Sequence, residues 1–186
     1  MVNKEEIMSH FSAILDLAGF DIARADILRT PERQWEVLEY MTRGFEMDVT
    51  LERMYEDYGD DFSNLRICPS IEYVSVCEHH FIPFFGKVDI AYLPNNGKVT
   101  GLSKLPQLVQ KYALRPQLQE KMTDQIADEL MKRCCFGGVM VIAEGQHTCE
   151  MVEGFRRDKP YITSSVRGLF GLNPYLKQEA LALLAR

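Results

Sequence analysis

The spacing of apolar residues predicts helices in the first part of the chain. Residues 3–20 and 29–45 carry apolar side chains at helical spacing. The first stretch ends at Gly19. In the second, Thr30 is a predicted N-cap and Pro31 occupies a position where the start of a helix tolerates proline. A shorter helix is predicted over residues 48–58, and the polar stretch "GDDFSN" then interrupts the pattern. The first part of the chain is therefore predicted to be helical.

The period of the pattern changes near Ile71. Alternating or continuously apolar segments predict strands over residues 71–77, 84–94, 137–145 and 147–156, and "PNNGK" predicts a turn. Helical spacing returns over residues 103–114, with Ser103 as a predicted cap, over 115–134, with Pro116 near the start, and over 173–186. The predicted order is β-β-α-α-β-β followed by a closing helix, which is an α+β fold.

Composition narrows the class of protein. The 186 residues suffice for one compact domain with an appended helical segment, and no apolar run approaches the roughly 20 residues of a membrane helix. The formal net charge of −6 argues against nucleic acid or an anionic membrane as the main partner. The N-terminus lacks a secretory apolar core, so a cytoplasmic location is expected. Five cysteines, an odd number, do not suggest a disulfide framework, which leaves buried thiols or metal ligands.

Two short motifs hold most of the candidate chemistry. Cys77 and His80 form C-x-x-H, and His147 and Cys149 lie two residues apart, on one face if they are on a strand. If these segments meet, two thiolates and one imidazole suit tetrahedral zinc, with a fourth position open for water as in catalytic sites. His79 and His147 then remain for proton transfer. The alternative is a cysteine-lined core with functional histidines and no metal.

The motifs also resemble a known family. "CEHHFIPFFGKVDIAYLP", "GLSKLPQLVQKYALRPQLQEKMTDQIADEL" and "GQHTCEMVEGF" resemble GTP cyclohydrolase I, and the resemblance runs from about Thr30 to Phe170. It implies the tunnelling fold (T-fold), with an N-terminal helical arm over residues 1–64 and a catalytic domain over 65–186. It also implies that subunit sheets join into a barrel, in a homo-oligomer expected to be a decamer, with active sites between subunits.

The resemblance implies a role for each matched residue. Cys77, His80 and Cys149 match the zinc ligands, and His79 and His147 match the proton-transfer histidines. Glu120 matches the carboxylate that holds the guanine edge, with Gln119 beside it, and Ser103, Lys104 and Arg33 match positions near the ribose and phosphates. The implied reaction opens the imidazole ring of GTP by attack at C8, releases formate and forms dihydroneopterin triphosphate.

Three positions depart from the family pattern. Glu36, Gln107 and Glu153 stand where the family commonly has a lysine, an arginine and an arginine. Reversing a charge about 4 Å from a phosphate changes its energy by several kcal/mol at an effective dielectric near 20. Either nearby cations compensate (Arg156, Arg157, Lys159 and Arg167 are candidates), or the substrate is a guanine nucleotide or nucleoside with fewer phosphates. A further alternative is a non-catalytic pterin- or purine-binding protein with a structural zinc.

Overall fold

The computed structural model describes residues 3–51, 64–95, 99–134 and 136–185. The chain divides into two compact units, one ending at Arg43 and one beginning at Gly44. The functional boundary expected at residue 64 stays a prediction. Within the described ranges, every helix is too short or too polar to cross a membrane.

The first unit contains two helices that contact each other. Helix α1 spans Lys4–Leu17, and the side chain of Asn3 caps it by accepting from the backbone N–H of Glu6 at 3.2 Å. Helix α2 spans Thr30–Thr42, so Thr30 is its first residue and not its cap; Arg29 precedes it without a side-chain cap bond. Of the helix predicted over 48–58, residues 48–51 are not helical and the remainder lies outside the described residues.

The second unit is built on one five-stranded sheet in the order β3-β1-β2-β4-β5. Neighbouring strands are antiparallel, except that β1 and β3 are parallel. The strands are β1 Arg66–Cys77, β2 Pro83–Leu93, β3 Pro116–Gln117, β4 Gly138–His147 and β5 Tyr161–Gly168. The helices are α3 Lys104–Ala113, α4 Gln119–Cys134, α5 Thr148–Val152, α6 Leu169–Leu172 and α7 Pro174–Leu184. The predicted α+β class is confirmed.

Both faces of the sheet are covered at one end. On β2, Ile90 and Tyr92 pack into the main core with residues of α3 and α4, whereas Ala91 and Leu93 belong to a second cluster with Phe170. Successive side chains of a strand point to opposite faces of the sheet. Because both faces of β2 are buried here, each by its own core cluster, the sequence of this strand is continuously apolar and does not alternate.

Two sequence predictions about the second unit were wrong. Pro116 lies in β3, and α4 begins three residues later at Gln119. The segment 147–156, predicted as a strand, contains the short helix α5 instead, and the last strand is β5. The apolar residues that suggested a strand there, Val152 and Phe155, are 75% and 66% exposed, so their pattern did not report a buried face.

Candidate metal centre and active site

The turn between β1 and β2 brings Cys77 and His80 together. The backbone N–H of Phe81 donates to the carbonyl of Cys77 at 2.9 Å, and the N–H of Cys77 donates to the carbonyl of Ile82 at 2.9 Å. Phe81 has a φ of 57°, in the left-handed region that non-glycine residues rarely adopt. This tight turn places His80 Nδ1 3.6 Å from Cys77 Sγ.

Cys149 reaches the same point from α5. Strand pairing sets Phe84 of β2 opposite His147 of β4, and α5 follows directly, with the Thr148 hydroxyl donating to the carbonyl of Pro83. The expectation that His147 and Cys149 share a strand face was wrong, because Cys149 is helical. Their convergence with the turn between β1 and β2 nevertheless occurs: ligand atoms of Cys77, His80 and Cys149 all lie within 4.8 Å of one another.

The three side chains fit a zinc ion. Tetrahedral coordination with ordinary Zn–S and Zn–N bonds separates a sulfur from a nitrogen by about 3.6 Å, and the observed Cys77–His80 separation is 3.6 Å. Partial burial and the neighbouring Cys77 thiol raise the pKa of Cys149, because two thiolates side by side without a cation would repel each other. A dication would remove this penalty. His80 is exposed, so one side of the group is open.

His147 precedes Cys149 by two residues and is held on two sides. Its ring stacks on Phe84 with centroids 4.6 Å apart and planes 9° apart. Its Nε2 lies 2.9 Å from Oε1 of Gln119, a residue only 1% exposed. Burial lowers the pKa of His147, since the charged ring would lose solvation. His79, by contrast, is exposed in the turn, with its ring 6.2 Å from that of His80.

The other predicted substrate residues are distributed over both units. Glu120 is exposed in the first turn of α4, and its carboxylate accepts a hydrogen bond from the Tyr161 hydroxyl at 2.9 Å. Ser103 precedes α3 without capping it through its side chain, and Lys104 Nζ donates to Gln107 at 3.2 Å. Arg33 lies on α2, in the first unit.

A groove of mixed charge borders His147. Its lining includes Tyr161 and the charged residues Glu150, Arg157 and Lys159. Arg157 pairs with Glu150 at 2.9 Å. Glu153 Oε1 lies 3.7 Å from His80 Nε2, so a carboxylate stands against a candidate metal ligand.

Not all the cations that might compensate for Glu153 are available. Arg167 of β5 forms ion pairs with two residues of α4, Asp124 at 3.0 Å and Asp128 at 2.6 Å. Arg157 is paired with Glu150. In the part of the chain that the structure describes, Arg156 and Lys159 are the candidate cations that form no ion pair.

Sequence reasoning missed three residues that shape the site. Phe84 and Tyr161 flank His147, and Phe81 forms the turn. Phe84 belongs to an apolar strand, so nothing in the sequence separated it from the rest of the core. Tyr161 lies outside every motif, and the turn conformation of Phe81 has no sequence signal.

An α+β fold that brings together a Cys-His-Cys group, with a half-buried histidine two residues before the second cysteine, defines a protein with three side chains that could hold a metal ion. The sequence model of GTP cyclohydrolase I matches residues 7–185, and the chain belongs to this family. It is 38% identical to "GTP cyclohydrolase 1" of Carboxydothermus hydrogenoformans over 185 residues, covering 99% of this chain and 96% of the relative.

Other relatives match over similar lengths. The chain is 37% identical to "GTP cyclohydrolase 1" of Clostridium perfringens (strain 13 / Type A) over 188 residues, which is 100% of each chain. It is 38% identical to the protein of the same name from Bacillus subtilis (strain 168) over 186 residues, 100% of this chain and 97% of the relative. A solved archaeosine synthase QueF-Like structure covers 56% of this chain and 93% of its own, with a TM-score of 0.46 and 16% identity, too distant to bear on the fold.

Proposed function

We propose that this protein is a zinc-dependent cyclohydrolase that opens the imidazole ring of a guanine nucleotide at C8, releases formate and closes a dihydroneopterin product. The observation that carries this proposal is the convergence of Cys77, His80 and Cys149, with His147 two residues before Cys149 in the chain. Membership of the GTP cyclohydrolase I family and the names of the relatives support it.

The metal would supply the nucleophile of the reaction, and the histidines would transfer protons. When bound by Cys77, His80 and Cys149, zinc would supply Lewis acidity and make a hydrolytic nucleophile available at neutral pH. His147 would move a proton to or from the opening ring, since its neutral form is favoured by burial and it lies in the groove. His79, exposed in the same turn, would serve as the second proton carrier.

Glu120 would orient the guanine. A carboxylate accepting two N–H bonds from the 2-aminopyrimidinone edge is a strong and directional contact. In the structure this carboxylate already accepts from Tyr161, whose hydroxyl would have to share it with the substrate or leave. Ser103, Lys104 and Arg33 are proposed for the ribose and phosphates, with sites completed between subunits of a homo-oligomer, a decamer whose T-fold sheets join into a barrel in the cytoplasm.

A second candidate is the same chemistry on a substrate with fewer phosphates. It is favoured by Glu153, whose carboxylate stands beside the centre where the family commonly has an arginine. Lys104 is engaged by Gln107, which also replaces a family arginine. An uncompensated carboxylate near a triphosphate would cost several kcal/mol at an effective dielectric near 20.

Steady-state assays with GTP, GMP and guanosine test both candidates. Zinc-loaded protein is incubated with each compound, and the product is followed by pterin fluorescence after oxidation. A preference for GTP supports the triphosphate as substrate, and a higher kcat/KM for GMP or guanosine supports the second candidate. Absence of fluorescent product from all three, with zinc bound, would overturn catalysis and leave a binding protein.

A further inference from the structure

We propose that Gln119 is a positioning residue that holds His147 in the tautomer protonated at Nε2, so that Nδ1 is the nitrogen that accepts a proton. The hydrogen-bond inference stands on its own, and its catalytic meaning rests on the proposed function. It gives Gln119 a role different from the predicted contact with substrate.

The surroundings of the Gln119 amide fix which end is nitrogen. One end lies 2.9 Å from the backbone carbonyl of Ala143 and 3.0 Å from that of Tyr161. Carbonyl oxygens only accept, so this end must be the NH₂ group, and the reverse orientation would set three oxygens together. The oxygen of the amide therefore faces His147.

A pair of threonine hydroxyls gives the same orientation independently. Thr123 donates to the backbone carbonyl of Gln119 at 2.7 Å, so its own oxygen is free to accept. Thr163, 2.7 Å away, then donates to Thr123 and accepts from the Gln119 NH₂ group at 3.2 Å. The two hydrogens of the Gln119 NH₂ group serve three acceptors, so the longest contact, to Thr163, shares a hydrogen with one of the two carbonyls, and all three contacts place the nitrogen at the same end.

The orientation determines the protonation of His147. Gln119 Oε1 can only accept, and it lies 2.9 Å from His147 Nε2, so Nε2 carries a proton. Stacking on Phe84 holds the ring plane. Among the described residues, Gln119 is the hydrogen-bond partner of the ring. A neutral ring protonated at Nε2 has Nδ1 as the nitrogen that can accept a proton.

Gly145 makes room for this arrangement. A Cβ at Gly145 would lie 2.1 Å from Gln119 Oε1 and 2.9 Å from the Tyr73 hydroxyl. Any side chain there would displace the amide oxygen from His147. Gly145→Ala therefore tests the geometry without changing either partner.

The direct test is magic-angle-spinning ¹⁵N NMR of zinc-loaded protein with ¹³C,¹⁵N-labelled histidine, which separates protonated from bare ring nitrogens. His147→Gln assigns the signals. We expect neutral His147 to be protonated at Nε2 in the wild type. We expect the Nδ1-protonated form to become detectable in Gln119→Leu and Gly145→Ala. Gln117→Leu is the matched control, because Gln117 is equally buried and bonds to Tyr112 and Gln125 instead.

Kinetics separate positioning from substrate contact. Loss of the tautomer should lower kcat by about 10²-fold, at the lower end of the usual range for general acid–base catalysis, with KM changed by less than about threefold. A raised KM with unchanged kcat would overturn the proposal in favour of substrate binding. Wild-type His147 protonated at Nδ1 would also overturn it, and this measurement needs no variant. An inactive wild type with the expected tautomer would refute the proposed function alone.

Discussion

Glu153 provides a sharp test of the metal centre, because it stands 3.7 Å from the far nitrogen of the ligand His80. Carboxylates on the outer nitrogen of a ligating histidine orient the ring and raise its basicity. Glu153→Gln removes the charge and keeps the shape. We expect this change to weaken zinc binding and leave the fold intact, since Glu153 is exposed.

Two lines of reasoning bound the size of the effect. Outer carboxylates of this kind are commonly worth about 10- to 100-fold in metal affinity when the hydrogen bond is formed. Here the 3.7 Å separation is longer than a hydrogen bond, and the side chains of His80 and Glu153 are 45% and 57% exposed. A zinc-bound imidazole is neutral, so the charge that Glu153 meets is the ion beyond the ring. Even a unit charge pair at the shorter distance of 3.7 Å would gain only about 1 kcal/mol in water, or roughly sixfold. We therefore expect a five- to tenfold loss in Glu153→Gln.

Competition with a zinc-binding fluorescent chelator measures this affinity. Glu150→Gln is the matched control, because Glu150 lies in the same segment, is charged, and pairs with Arg157 rather than with His80. An unchanged or tighter zinc dissociation constant in Glu153→Gln, or an equal loss in the control, would refute the reasoning.

Three further predictions follow from the described contacts. His147→Ala should abolish turnover and retain zinc; zinc loss, measured by metal analysis, would make His147 a ligand. Leu130→Ala should cost about 2–5 kcal/mol, because Leu130 is fully buried, and a urea midpoint close to the wild-type value would contradict this. Hydrogen bonds from Ser165 and Arg167 lower the pKa of Asp124, so its contribution is present above the usual 3.8 and is lost as pH falls through the lowered value. The free energy of unfolding of Asp124→Asn, measured by urea titration, should therefore be below the wild-type value at pH 6, by less than about 1 kcal/mol because Asp124 is exposed. The difference should close in acid, and a difference independent of pH would contradict this.

The periodicity of apolar residues predicted most of the helices and strands whose apolar residues are buried in the structure. Strands β1, β2 and β4 and helices α3 and α7 lie where apolar spacing indicated, because their apolar faces are covered. Helix α1 also lies where it was predicted, although none of its residues is buried. The periodicity failed at α5, where exposed apolar residues imitated a strand. It also failed at the start of α4, where Pro116 pairs with Val76 in a short parallel strand. That pairing depends on tertiary contact, and local pattern does not contain it.

The candidate site was predictable to the level of ligand types. Two motifs that lie far apart in the sequence indicated Cys77, His80 and Cys149 as ligands. The structure brings the three together, although Cys149 comes from a helix and not from a strand face shared with His147. The amide network behind His147 was not predictable, because its partners come from β4, β5 and α4 and meet only in the folded sheet. The same holds for Glu153, whose contact with His80 crosses from α5 to the turn between β1 and β2.

Metal analysis coupled to activity tests the central claim most directly. Freshly purified protein is assayed for zinc and for formation of fluorescent pterin, then treated with a chelator and reloaded. We predict one zinc per chain, loss of turnover with the metal, recovery on adding zinc, and no zinc in Cys149→Ser. Protein without bound metal that turns over a guanine nucleotide at an undiminished rate would contradict the account.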